Sequence, residues 1–211
     1  MKYIKLFENF EDYDPYELLM LSPDKKGEML YIEIAKHEPN LNLVKGLIEF
    51  GADLDWQREY GYSALYLCAY YNRPEIARIL IEDGADLNIQ DEDGRTALNL
   101  SARKNHPRIA RMLIDAGADL NIKDKDGWNA LHYCAYSYHS EIAKMLIDAG
   151  VDVNLQDIEG WTALHFYSYN NNTEIVQMLI NAGADKTIQN NIGRIPYDYA
   201  HNLEIKELLK P

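Results

Sequence analysis

The stretch Asp126 to Ser140, DGWNALHYCAYSYHS, gathers residue types that do chemistry. It holds Asp126, His132, Cys134 and His139 among aromatic neighbours. Such a set could ligate a metal or arm a thiol nucleophile. The spacing argues against both. His132 and Cys134 are two apart, so on a helix their side chains leave from different faces, whereas the ligands of one metal must converge. His139 falls beyond the end of that helix. The turns DEDG and DKDG hint at calcium, but an EF-hand loop needs a Glu six residues after its glycine. Leu100 follows Gly94 at that distance, and Tyr133 follows Gly127. No phosphate-cradling glycine loop, HExxH or GxSxG stands anywhere in the chain. No catalytic residue and no metal or cofactor site is therefore expected.

The elements that carry these residues repeat. GADL begins at Gly51, Gly84 and Gly117, GVDV at Gly150 and GADK at Gly183; from 51 to 84 is a step of 33, and each later step is the same. Gly61, Gly94, Gly127, Gly160 and Gly193 keep that period, as do Leu65, Leu98, Leu131 and Leu164, and Ile76, Ile109, Ile142 and Ile175. A fixed period of this length is the signature of a stacked repeat architecture. Ser63, Thr96, Asn129 and Thr162 precede apolar runs and read as helix N-caps. Each cap opens a short helix with a small residue for close approach: Ala69, Ala102, Ala135 or Ser168. A second helix starts near Pro74, Pro107, Ser140 and Thr173 and stops at the glycine of GADL, where a left-handed turn is cheapest. The polar segments between units, such as NIQDEDGR and NIKDKDGW, read as turns or hairpins.

The unit length, the TALN and TALH stretches and the GADLN endings resemble the ankyrin repeat. The resemblance implies an all-α repeat solenoid: stacked helix-turn-helix units with β-hairpin-like connecting turns. Its expected divisions are an extension or helical cap over 1–26, a degenerate first repeat over 27–57, and repeats over 58–90, 91–123, 124–156 and 157–189. A truncated capping repeat over 190–211 completes it. Ala64, Ala97, Ala130 and Ala163 stand where the family usually has proline, a change that a good helix former tolerates. In the family, the histidine at the position of His132 and His165 hydrogen-bonds near the turn. Tyr66 and Asn99 replace it in the other units, and Ser101 and Tyr167 replace the cysteines, so the opening residues read as scaffold. Cys68 and Cys134 lie two repeats apart, roughly 20 Å at the spacing of packed helices, beyond the reach of a disulfide.

The resemblance implies a non-catalytic protein-interaction module whose partner meets the concave face formed by hairpin tips and first helices. Two columns there are not demanded by the scaffold. The residue after the turn glycine is Tyr62, Arg95, Trp128, then Trp161. The residue near the end of the first helix is Tyr70, Arg103, Tyr136, then Tyr169. Tyr60, Tyr71 and Lys104 lie beside them. Both columns are expected to face solvent, where Trp, Tyr and Arg in a strip mark an interface. The competing reading is that the rings stack between adjacent units and cover the hairpins. An arginine node amid aromatics would suit an acidic or aromatic partner residue flanked by apolar ones.

The net charge of −13 disfavours nucleic acid as a partner. It leaves a second reading, an acidic inhibitor or decoy that occupies a basic site on a target protein. Much of the charge is expected on the convex side. A structural role in a larger assembly such as a virion is a third reading. Residues 1–26 carry it, because their opening MKYIKLFENFE is similar to the short amino-terminal peptides that send internal proteins into the heads of large tailed phages. Tyr3, Phe7 and Phe10 are expected to share a helical face there, and Leu18, Leu19 and Leu21 form an apolar cluster in the sequence. The opening is too acidic for a signal peptide, and no apolar run approaches a membrane span. A monomer in the cytoplasm, or inside a host cell, is expected.

Overall fold

The computed structural model describes residues 15–210, with side chains from residue 18 onward. The proposed helical face of Tyr3, Phe7 and Phe10 and the peptide-like opening lie outside the described residues. A short helix, α1 (Pro15–Met20), leads into six helix pairs. These are α2 (Pro23–Ala35) with α3 (Leu41–Glu49), α4 (Ala64–Tyr71) with α5 (Pro74–Glu82), and α6 (Ala97–Lys104) with α7 (Pro107–Asp115). There follow α8 (Ala130–Ser137) with α9 (Ser140–Asp148), α10 (Ala163–Tyr169) with α11 (Thr173–Asn181), and α12 (Pro196–Tyr199) with α13 (Leu203–Leu209). Helix α2 begins at Pro23 and so crosses the boundary expected at residue 26. Of the leading apolar cluster, Leu18 is buried, Leu21 packs against the core and Leu19 is exposed.

The even-numbered helices from α2 to α12 stack on one another as an inner row, and the odd-numbered helices from α3 to α13 as an outer row. This is the expected solenoid, and among the described residues it contains no strand. An inner helix is covered by two neighbours in its own row and by its outer partner. All of Ala64–Ala69 in α4 are accordingly buried, and an amphipathic stripe is neither needed nor present. Outer helices bury one face only. In α7 that face is Ile109, Ala110 and Leu113. The four repeating leucines and four repeating isoleucines form the core.

Local chemistry sets the ends of these helices. Ser63 and Thr96 accept hydrogen bonds from Tyr66 N and Asn99 N, each at 3.2 Å, and Asn129 from His132 N at 3.1 Å. The outer helix α5 runs out at Gly84, whose φ of +87° is the left-handed turn expected of that glycine. Between units the chain makes hairpin turns without strands: Asp91 N donates to Arg95 O, Asp124 N to Trp128 O and Asp157 N to Trp161 O. Successive turns are tied tip to tip by Glu92 N to Tyr60 O, Lys125 N to Asp93 O and Ile158 N to Asp126 O. Glycine is required where the turns meet. A Cβ on Gly127 would sit 2.9 Å from the Asp157 Cα, on backbone with no room to yield.

Candidate partner-binding groove

The histidines and cysteines of the opening stretch are absorbed by the stack. His132 is buried. Its Nε2 lies 3.3 Å from the Trp161 carbonyl, and its Nδ1 lies 2.6 Å from Asn129 Oδ1 and 3.4 Å from Asn129 N. His165 repeats the arrangement one unit on, with Nε2 3.1 Å from Arg194 O and Nδ1 accepting from Thr162 N–H at 3.1 Å. His139 donates Nδ1–H to Ala102 O at 2.8 Å, as His106 does to Ala69 O at 2.7 Å. These histidines are ties between repeats. Cys68 and Cys134 are buried and unpaired, and burial pushes both thiols well above the usual range, away from the thiolate a nucleophile needs.

Burial also lowers the pKa of His132 and His165, outweighing the carbonyl bonds that favour the charged form. A histidine held neutral in the fold contributes fully above its ordinary value near 6.5. Below that value the unfolded chain takes up protons that the folded chain refuses, and the contribution is lost. The urea midpoint is therefore expected to fall as pH drops from about 7 to about 5. The double variant His132→Asn with His165→Asn should flatten this slope. Asn99 already serves at the equivalent position, where its Nδ2 donates to Ile122 O at 3.3 Å. An unchanged slope in the variant would remove the histidines as its source.

The first of the two surface columns is half-buried, which corrects the expectation that it faces solvent. Because the hairpins stack, the side chain after each turn glycine lies against its own inner helix and the next hairpin. Tyr62 stacks on Tyr66 with centroids 4.7 Å apart. Trp128 Nε1 donates to Asp157 Oδ2 of the next turn at 3.1 Å, and its ring meets Tyr133, Tyr136 and Phe166 at 5.3, 5.1 and 5.7 Å. Trp161 meets Phe166 at 4.9 Å and Tyr199 at 4.4 Å. Stacking between units therefore accounts for part of this column. Arg95 is held by Asp91 at 2.8 Å and Asp93 at 2.7 Å, with 18% of its side chain exposed. It is a neutralised strut rather than a free cationic node.

The second column is exposed. Tyr136 is 62% exposed and Tyr169 54%. Tyr70 and the neighbouring Tyr60 and Tyr71 are exposed as well. Arg103 lies 6.0 Å above the Tyr133 ring and Lys104 4.0 Å above Tyr70. Arg95, Arg103, Trp128, Tyr136 and Trp161 line one groove of about 850 Å³ between the hairpins and the inner helices. Tyr136, Trp161 and Tyr169 also line an adjoining hollow of about 390 Å³. Tyr60, Tyr62, Tyr70 and Tyr71, one repeat before Arg95, line neither, and nor does Lys104, which reaches back over Tyr70.

Three further residues of this site were hidden in the sequence. Tyr133 and Phe166 line the groove floor, but they occupy the position of Leu67 and Leu100 and pass for core. The Tyr133 hydroxyl donates to the Asp124 carboxylate. Tyr138 lines the adjoining hollow and is 65% exposed. It ends α8 in the left-handed region at φ +64°, where Asn72, Asn105 and Asn171 stand in the other repeats at +54° to +57°. Asparagine visits that region readily and tyrosine does not. An alignment of the repeats shows this one departure as Asn, Asn, Tyr, Asn.

The charge is also placed differently from the expectation. Outer helices α5, α7 and α9 hold five carboxylates and four cations. The connecting segments 83–96, 116–129 and 149–162 hold eleven carboxylates and three cations. Loop turns use Asp91, Asp124 and Asp157 to accept backbone N–H bonds, so acid is built into the hairpin side. Asp126 and Glu159 are exposed there and make no side-chain bond among the described residues.

Six stacked pairs joined by hairpin turns define a helical repeat protein. Its family is equally plain: residues 31–124, 84–157, 116–190 and 149–209 match the model for ankyrin repeats in three copies, and the chain belongs to that family. Ankyrin repeats are generally protein–protein interaction modules and typically non-catalytic. No curated protein matches the chain. Among the described residues no helix is long and apolar enough to cross a membrane, and no three His, Cys, Asp or Glu side chains gather to hold a metal ion.

Proposed function

We propose that the chain captures a partner protein in the aromatic groove over α8 and α10, and that the groove rather than any catalytic centre is its working part. The observation that carries this reading is the layering of the site. Three exposed tyrosines, Tyr136, Tyr138 and Tyr169, stand over a half-buried floor of Trp128, Trp161 and Phe166. The floor needs its rings for packing; the exposed tyrosines do not pack the core, and exposed aromatic area of this kind is typical of interface anchors. Tyr60, Tyr62, Tyr70, Tyr71, Arg103 and Lys104 extend the surface toward the amino-terminal repeats.

Tryptophan-to-alanine variants would confound binding with folding, because both rings pack between units. Tyr136→Ala separates the two. Its recovery of the partner in affinity purification with mass spectrometry is expected to fall about tenfold, while thermal unfolding stays within about 0.5 kcal/mol of the wild type. Undiminished recovery would refute the groove.

The excess of carboxylates in the connecting segments favours a second reading, an acidic inhibitor occupying a basic site. Capture that weakens steeply with moderate salt supports it; capture indifferent to salt supports aromatic anchoring alone.

A further inference from the structure

We propose that the groove's occupant is a partner segment bearing a lysine or arginine flanked by apolar residues, with the cation laid on the rings between the fourth and fifth helix pairs. This rests on the groove reading and adds the chemistry of its occupant. An arginine node in the groove would have asked for an acidic residue, but Arg95, its half-buried member, is neutralised. Arg95 is bonded to both Asp91 and Asp93, and Arg103 stands over Tyr133, two repeats from the equivalent Tyr169. The hollow lined by Tyr136, Tyr138, Trp161, Phe166 and Tyr169 contains no cation at all.

The groove's lining is negative on balance, with five carboxylates against three cations, Arg95, Arg103 and Lys125. Asp126 and Glu159 sit exposed on the hairpin rim of the groove, and their carboxylates make no bond among the described residues. They occupy the same position in successive hairpins, next to the glycine. Ring faces attract a cation through their quadrupole. A lysine or arginine stem can cover the apolar floor while its head reaches the rim carboxylates. An acidic segment would meet Asp126 and Glu159 instead, a like-charge juxtaposition that disfavours it. The groove runs across three successive hairpins, so an extended segment fits it better than one compact side chain.

The test is selection of a displayed library of random peptides on the immobilised full chain, followed by tryptophan fluorescence titration of the enriched peptides. Enrichment of lysine or arginine between aromatic or aliphatic residues is expected. Replacing that cation by norleucine should weaken binding about tenfold, and the exposed-residue variant Asp126→Asn with Glu159→Gln should reproduce most of that loss. Peptides without a cation that still require Tyr136 and Tyr169 would overturn the proposal and leave the groove reading intact, as would acidic peptides with the same requirement. Binding indifferent to Tyr136→Ala with Tyr169→Ala would overturn both. Failure to enrich any peptide would overturn the cation proposal as well.

Discussion

Trp161→Ala is expected to destabilise the carboxy-terminal end of the stack by about 2–3 kcal/mol and to separate its unfolding from that of the remaining repeats. The ring lies between Phe166 of its own unit and Tyr199 of the next, with His165 at 5.7 Å. Helix α12 has only four residues, too few to hold themselves without packing. In a stack whose stability is a sum of unit and neighbour terms, loss of one contact surface lowers one interface selectively. The backbone ties at this turn, Asp157 N to Trp161 O and Trp161 N to Asp157 Oδ1, survive the substitution, so the hairpin should persist. Urea unfolding followed by circular dichroism should show an early step, with amides of 196–209 losing hydrogen-exchange protection first. A single transition at the wild-type midpoint would mean that the ring contributes nothing to that interface.

The legibility of this molecule divides by the range of the interactions. Capping is local, and Ser63, Thr96 and Asn129 could be read directly because each bonds a backbone N–H three residues on. The core was legible through periodicity, since Leu131 and Ile142 recur with their equivalents in every unit. What escaped depends on neighbours 29 to 37 residues away: the resemblance put a His132 hydrogen bond near the turn but not its acceptor, Trp161 O, and nothing pointed to His139 on Ala102 O. The aromatic columns were visible as residues the scaffold does not demand, but their depths were not. Trp128 and Tyr136 looked alike in sequence, yet stacking of hairpins half-buries the first and leaves the second in solvent. Arg95 offers the opposite lesson: Asp91 and Asp93 stand in the same turn, and that proximity alone predicts a neutralised guanidinium. Tyr133 and Phe166 were hidden because an aromatic ring in a leucine column satisfies the core pattern while its edge reaches the groove.

Tyr138→Asn is expected to move stability and binding in opposite directions. At φ +64° a tyrosine bears the cost of the left-handed region, about 1–2 kcal/mol for a residue with a Cβ. Asparagine bears much less, and Asn72, Asn105 and Asn171 hold the same geometry in the other repeats. The substitution should therefore stabilise the chain by about 1 kcal/mol. It removes no core contact, since the ring is 65% exposed. Folding alone gives no reason for a tyrosine here; what the ring does contribute is one wall of the hollow beside Tyr136 and Tyr169. Strain retained at a surface position is expected where the side chain is used, and partner affinity in the Tyr138→Asn variant should fall about tenfold as stability rises. Tyr138→Gly serves as a second variant that relieves the backbone without offering a new side chain. Paired denaturation and binding titrations decide the matter: a gain in stability with undiminished affinity would make the strain incidental, and no gain would mean that the ring supports the fold.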